Sequence, residues 1–330
     1  MKRFLIVLTS AVFLSIAFVV LLAACSGAKK SSGFDDGTGG NDAGGGFGKL
    51  GGEGGGPCVN LQCQQTCANT SISGIVYDPA GQTPLYNVIV YVPNTDVPDF
   101  TDGATCDKCG TVAASPVVSA LTDTNGKFTL TNAPDGDNIP LVVQVGKWQR
   151  KYTIGHVNSC VDNPIDKDLT RLPKNSSEGH LPKIAVTTGA YDSLECFIKR
   201  IGVDVGEFSN GGGSGRVQLY QGVGGSMMGS TPSAFSPVGS AFWDSESNLA
   251  AYDMVALTCE GDEYGQDKPA NALDAMRDYT KNGGRVFATH YHYYWFKNEA
   301  ETANIANWST SVFGSTYSID TSFPKGSDFA

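Results

Sequence analysis

The chain has 330 residues, 41% of them hydrophobic and 17% charged. That length allows one or two globular domains, and that composition allows a buried core. The formal net charge of −10 argues against nucleic acid as a partner and supplies no electrostatic pull towards anionic lipid.

The first element is not part of the fold. Lys2 and Arg3 precede a long apolar run, the pattern of a secretory signal. The run ends in Leu22-Ala23-Ala24-Cys25, which resembles the lipobox of bacterial lipoproteins, the small-residue site before a cysteine that receives lipid. The resemblance implies that residues 1–24 are a signal peptide and that Cys25 is lipidated. The chain would then be held to a membrane of the bacterial cell envelope by that lipid. Ser26, by the sorting rule of enteric bacteria, points to the outer membrane, with the chain in the periplasm or at the surface.

Residues 25–56 form a glycine-rich tether with too few large apolar groups to offset the entropy of ordering it. As a flexible coil its ends would sit roughly 30 Å apart. Beyond Cys25, eight cysteines remain: Cys58, Cys63, Cys67, Cys106, Cys109, Cys160, Cys196 and Cys259. An even set in an exported chain reads as disulfides. Six precede residue 173 and two follow it, so Cys196 is expected to pair with Cys259 and the others among themselves. Cys106-Asp-Lys-Cys109 also has redox or zinc spacing, but it lacks a second Cys-x-x-Cys or a histidine pair at zinc-finger distance.

Residues 57–172 are strand-like throughout. "SISGIVYD" and "YNVIVYV" are β-branched runs separated by a Pro- and Gly-bearing turn. Asn125-Gly126 reads as a hairpin turn, and Gly146-Lys147 as another. Short strands at regular spacing imply an antiparallel β-sandwich. Gly74, Pro84, Leu85, Val88 and Val90, then Thr122, Asp123, Gly126, Phe128 and Leu130, resemble the carboxypeptidase-regulatory-like domain. That family is a transthyretin-like sandwich classed near carbohydrate-binding-like folds. The resemblance covers roughly residues 70–155. It implies a stabilising or adhesive module with no active site, and an insertion carrying Cys106 and Cys109 departs from it.

Residues 173–330 change texture. Lys183–Thr187 reads as a strand, and Leu194, Phe197, Ile198 and Ile201 recur at helical spacing until Gly202. "RVQLYQ" and "YDMVALTC" read as further strands. A helix follows from Pro269, with Leu273, Met276 and Tyr279 on one side and Gly283 past its end. "RVFATH" is a fourth strand. Alternating strands and helices imply a flavodoxin-like parallel α/β domain. "YDMVALTCEG" and "YTKNGGRVFATH" resemble class I glutamine-amidotransferase-like and trehalose-utilisation-type domains, in which a Gly-Gly segment leads to a strand tipped by histidine, here His290. The chain lacks their Gly-x-Cys-x-Gly elbow around Cys259. Because "SFPKGSDFA" follows soon after the fourth strand, this domain is expected to be incomplete.

Ligands of open parallel sheets bind beyond the carboxyl ends of the strands. That rule gathers Thr187, Thr188, Asp192, Gln221, Cys259, Glu260, Asp262, His290 and His292. One reading makes Cys259 a nucleophile, His290 its base and Glu260 or Asp262 the orienting acid, as in a hydrolase or amidotransferase. A metal reading takes His290 and His292 on one side of an extended segment. The favoured expectation is a non-catalytic ledge. Tyr291, Tyr293, Tyr294 and Trp295, with Thr188, Asp192 and His292, would contact a glycan or an envelope protein, or the rings would simply close an edge of the core in a structural module. No metal or cofactor is assigned. No His-Glu-x-x-His occurs, and Gly211–Gly215 is not a phosphate loop.

Overall fold

The computed structural model describes residues 58–106, 115–225, 242–308 and 318–330. Cys25, Cys109, the signal sequence and the tether lie outside the described residues.

Seven strands make the sandwich: β1 (Ser71–Ile75), β2 (Ile89–Pro93), β3 (Pro116–Leu121), β4 (Lys127–Thr131), β5 (Gly136–Val145), β6 (Trp148–Val157) and β7 (Asp162–Pro164). One sheet runs β4-β1-β7 and the other β3-β2-β5-β6. All pairs are antiparallel except the short β1–β7 pair. In β4 the side chains alternate: Phe128 and Leu130 are buried while Lys127, Thr129 and Thr131 are exposed. Period two puts every second residue on the face that meets the other sheet. Ile72 of the adjacent β1 joins them, Val90, Leu141 and Val143 supply the opposing core, and each such side chain contributes about 1.5–3 kcal/mol by leaving water. β2 is buried throughout because Val97 covers its outer face, packing on Ile89, Tyr91 and Val142.

The hairpin expected at Asn125-Gly126 is not one. β3 pairs with β2 and β4 with β1, so this turn crosses from one sheet to the other. Asp123 organises it: its Oδ1 accepts from the backbone N–H groups of Asn125 and Lys127, both at 2.8 Å. Gly126 alone takes positive φ there, at 72°, and a Cβ on it would lie 2.7 Å from the Val76 carbonyl. For the same reason β1 and β2 are not a hairpin. The turn at Gly146-Lys147 does join paired strands, with Val145 opposite Trp148.

A helix, α1 (Lys167–Thr170), leads out of the sandwich. The second sheet is formed by β8 (Ile184–Thr188), β9 (Phe208–Asn210), β10 (Val217–Gln221), β11 (Met254–Leu257) and β12 (Arg285–Ala288). All are parallel, in the order β12-β11-β8-β10-β9. Its helices are α2 (Leu194–Arg200), α3 (Glu246–Leu249), α4 (Ala270–Lys281) and α5 (Tyr294–Asn298), with α6 (Pro324–Phe329) near the end. β9 is an added edge strand; without it the order is flavodoxin-like.

Both faces of this sheet are covered, as a parallel sheet requires. Ala185, Val255 and Leu257 meet Ala272, Ala275, Met276 and Tyr279 of α4. Ile184, Val186 and Ala256 meet Ile198 of α2. The expected α4 face is present, and Gly283 ends that helix at φ 95°. On α2 the expectation for Phe197 fails: it is 57% exposed, and Glu195 and Ile198 are the buried residues. Seven residues give α2 only two turns, so few of its positions face the sheet.

Candidate functional site

The chain leaves β8 for β10 on one side, then returns to place β11 on the other. The order therefore reverses between β8 and β11, and the crevice beyond their carboxyl ends is where open α/β sheets bind ligands. Cys259 stands at that point, two residues after β11.

Cys259 does not pair with Cys196. Both are free, as is Cys106, while Cys58–Cys63 and Cys67–Cys160 are disulfides. The separation is physical: Cys196 is exposed on α2, whereas Cys259 is buried at the sheet tip, only 1% exposed. Its Sγ lies 3.2 Å from Nδ1 of His290. His290 is itself exposed, with the Tyr291 ring 4.2 Å away, centroid to centroid.

The backbone that presents His290 is unusual. β12 stops at Ala288, and His290–Tyr293 turn as a 3₁₀ segment. His290 adopts φ 36°, a left-handed conformation that a non-glycine residue holds only against a cost of roughly 1–3 kcal/mol. The two histidines therefore do not share one side of an extended segment. His292 turns inward and is buried, and both its nitrogens are engaged. Trp295 Nε1 donates to Nδ1 at 3.2 Å, and Nε2 lies 2.8 Å from the Thr258 carbonyl. Since an indole N–H only donates, Nδ1 is bare and Nε2 carries the proton. Burial lowers the pKa of His292, outweighing the nearby Glu260 carboxylate. Among the described residues no group of three His, Cys, Asp or Glu is placed to hold a metal.

Glu260 is not the orienting acid of His290. Its Oε2 accepts from Lys268 Nζ at 2.9 Å, and its Oε1 accepts from the Val223 N–H at 2.9 Å. Lys268 also donates to the Glu263 carbonyl and sits 5.4 Å over the Trp243 ring. The pair is almost fully buried, so each charge depends on the other and on these further partners. Lys268 precedes a helix in a polar stretch, and nothing local marks it as a core residue. The sequence reading missed it.

Asp192 reaches the backbone beside the thiol. Its Oδ2 accepts from the Cys259 N–H at 3.3 Å and from the Thr289 hydroxyl at 2.5 Å. Thr188 is buried beneath residues 222–225, where added Cβ atoms on Gly222 and Gly225 would meet it at 2.4 Å. Gln221 donates to the Gly225 carbonyl, and Asp262 accepts from the Glu263 N–H. Those bonds are local to their own loops and do not involve Cys259.

Of the two expectations for the aromatic ledge, Trp295 follows the one in which the ring closes an edge of the core. Trp295 is only 3% exposed and packs edge-on against Trp243 at 5.1 Å. Tyr294 lies against Gly265, and the Tyr293 hydroxyl donates to Glu263, a bond that lowers the Glu263 pKa. A ring spent on the core cannot stack on a sugar. Tyr291, Tyr293 and Tyr294 are half-buried, and Tyr191 is a more exposed ring near the crevice, 75% exposed, whose edge crowds Gly261.

No family model matches the chain, and no curated protein does. Two solved structures that match part of it are a type II cohesin-X-dockerin complex from Acetivibrio cellulolyticus, as an N-terminal and a C-terminal interface mutant. They are 14% and 15% identical, cover 41% and 40% of this chain and 85% and 86% of theirs, with TM-scores of 0.23 and 0.22. A likeness that slight carries no argument about function.

Proposed function

We propose that this chain is a cell-envelope lipoprotein whose α/β module is a cysteine-dependent acyl-transfer enzyme, of hydrolase or amidotransferase type. The observation that carries the activity is the free Cys259 thiol, 3.2 Å from His290 Nδ1 at the sheet's switch point. This reverses the ranking that the sequence favoured: that ranking rested on Cys259 being half of a disulfide, on the missing Gly-x-Cys-x-Gly elbow and on a surface ledge around Trp295, and the free thiol and the buried indole remove the first and the third.

The chemistry follows from the pair. As sulfur bonds to the acyl carbon, its proton passes to His290 Nδ1, and the leaving group takes that proton as it departs. A thioester to Cys259 remains. Water then attacks it, gives a proton to His290, and releases the acid, with the proton returned to sulfur. In transfer chemistry an amine replaces water.

The test is hydrolysis of p-nitrophenyl acetate by the full chain, with the acyl adduct mapped by mass spectrometry. Cys259→Ala and His290→Ala should each lose activity by about 100-fold or more. An adduct at Cys106 or Cys196 instead, or undiminished hydrolysis by Cys259→Ala, would sink the proposal.

The lipid on Cys25 is the proposed means of attachment. Among the described residues no helix is long and apolar enough to cross a membrane. Cys25→Ala should move the protein out of the membrane fraction, and retention there would contradict the anchor.

A second reading, glycan binding by the sandwich, is favoured by one cavity. It measures about 630 Å³ and is lined by Asn60, Asn94, Asp96, Lys151 and Tyr152 among others. Glycan-array binding that survives Cys259→Ala and is lost in Asn94→Ala would support it.

A further inference from the structure

β11 has β12 on one side and β8 on the other. The nucleophile and its base therefore sit on two separate loops, one after β11 and one after β12. Nothing in the strand ladder sets the distance between Cys259 Sγ and His290 Nδ1, because the ladder ends at Leu257 and Ala288. Beyond it, the Thr289 N–H still donates to the Leu257 carbonyl at 3.1 Å. The Thr289 hydroxyl also reaches that carbonyl at 3.2 Å, and His292 Nε2 lies 2.8 Å from the Thr258 carbonyl. A further tie, the one that bonds the Cys259 backbone itself, comes from the third strand. Asp192, four residues past β8, accepts from the Cys259 backbone and the Thr289 side chain with one and the same oxygen. Its own loop is held to the nucleophile as well: the Tyr191 N–H donates to the Cys259 carbonyl at 3.2 Å. Gly189 permits the approach, since a Cβ there would lie 2.2 Å from that carbonyl.

We infer that Asp192 is a positioning residue, which sets the thiol–imidazole distance by acting as a shared acceptor for Cys259 and Thr289. The inference rests on the Cys259–His290 reading and adds to it a third strand tip. It also replaces Glu260, whose oxygens are taken by Lys268 and Val223, as the acidic residue that serves the site. The bonds of the carboxylate go to the Cys259 backbone and the Thr289 hydroxyl, and not to sulfur or imidazole. What it supplies is an acceptor at one point, not a proton.

That role makes an unusual demand on substitution. Asparagine can put its carbonyl oxygen where Oδ2 stands and keep both bonds, whereas alanine loses both. Misplacing reacting groups by about 1 Å can cost around 100-fold. With p-nitrophenyl acetate as the probe and the full chain as enzyme, Asp192→Ala should slow acylation of Cys259 by about 10- to 100-fold. Asp192→Asn should stay within about 3-fold of the native rate. Should Asp192→Ala fail to fold, Thr289→Val and Thr289→Ser decide the matter. The first should slow acylation by about 10-fold and the second should restore it.

Native rates in Asp192→Ala or Thr289→Val would overturn the inference. So would an Asp192→Asn protein that is folded but as slow as the alanine variant, because charge and not placement would then be the requirement. Failure of the underlying reading looks different: Cys259→Ala or His290→Ala would retain the native rate whatever is done at Asp192.

Discussion

His292 is a titratable group held in one form by its neighbours. The Trp295 indole N–H occupies Nδ1, so a second proton there would set donor against donor. Burial points the same way and lowers the pKa of His292. The sign of the consequence follows. In the unfolded chain His292 titrates near the ordinary value of about 6.5. Folding is therefore unopposed by this residue above that pH, and stability falls as pH drops below it, because the unfolded state takes up the proton first. Urea unfolding between pH 8 and pH 5.5 should show that fall, and His292→Asn should flatten it. An unchanged slope in the variant would show that His292 is not the group responsible. The same residue illustrates why His290 and His292, two positions apart, have unlike roles. The 3₁₀ turn sends one ring to the crevice surface and the other into the core beside Trp295.

At the scale of elements, the loop after β10 forms one wall of the crevice by close backbone approach. The Gly222 N–H donates to the Thr188 carbonyl at 2.9 Å, and the next N–H, that of Val223, donates to Glu260. A methyl on residue 222 would stand 2.4 Å from that carbonyl and 2.8 Å from the carboxylate. Backbone cannot give way as a flexible side chain can. Gly222→Ala should therefore cost about 1–3 kcal/mol in chemical denaturation, the range for overpacking. Because Glu260 adjoins Cys259, acylation should slow as well. A variant with native stability would mean that the loop moves freely away from β8. The turn between β3 and β4 makes a related point. Asp123 and Gly126 shape a chain reversal, and that local geometry serves equally for a hairpin and for a crossing between sheets.

At the scale of the molecule, the sandwich and the α/β module are joined by buried polar contacts. Lys147, in the β5–β6 turn, donates to the carbonyls of Thr101 and Gly103 and to Asp253, at 2.6–2.7 Å. Asp253 in turn accepts from the Lys183 N–H, at the threshold of β8. All three ammonium protons have acceptors, and the ion pair is 3% exposed on both sides. Above it, Arg216 grips Asp102 through two bonds of 2.8 Å, and Gly202 packs against the backbone of Ala80. An ion pair so placed depends on both modules being folded. Lys147→Met should cost about 3–5 kcal/mol, since it strips a buried carboxylate of its hydrogen-bonded cation and leaves only Arg216 at 3.9 Å. Hydrogen exchange should record the loss in β5 and in β8 together. Loss confined to the sandwich would mean that the modules unfold independently. The connecting segment adds a paired contact of its own: Arg171 donates twice to Glu178 and holds its carboxyl down to about 2.

The amino-acid sequence by itself determined the division into a strand-rich half and an alternating half. Period-two burial in β4 and the one-sided helix α4, bounded by Pro269 and Gly283, are local patterns, and a local pattern can be read along the chain. It also brought Asp192, Cys259 and His290 into one candidate site, because strand ends in a parallel sheet all point the same way. Which strands pair was decided only by tertiary structure. Asn125-Gly126 is compatible with two topologies, and contacts with β1 and β2, distant in sequence, chose between them. The state of Cys259 was decided there too, since oxidation needs a second sulfur within reach, and α2 carries Cys196 away on its exposed side. The burial of Trp295 and the Lys268–Glu260 pair have the same origin. Whether a large ring or a charge is inside depends on what else packs there: Trp243 covers the one, and the carboxylate, carbonyl and indole around Lys268 make the other tolerable.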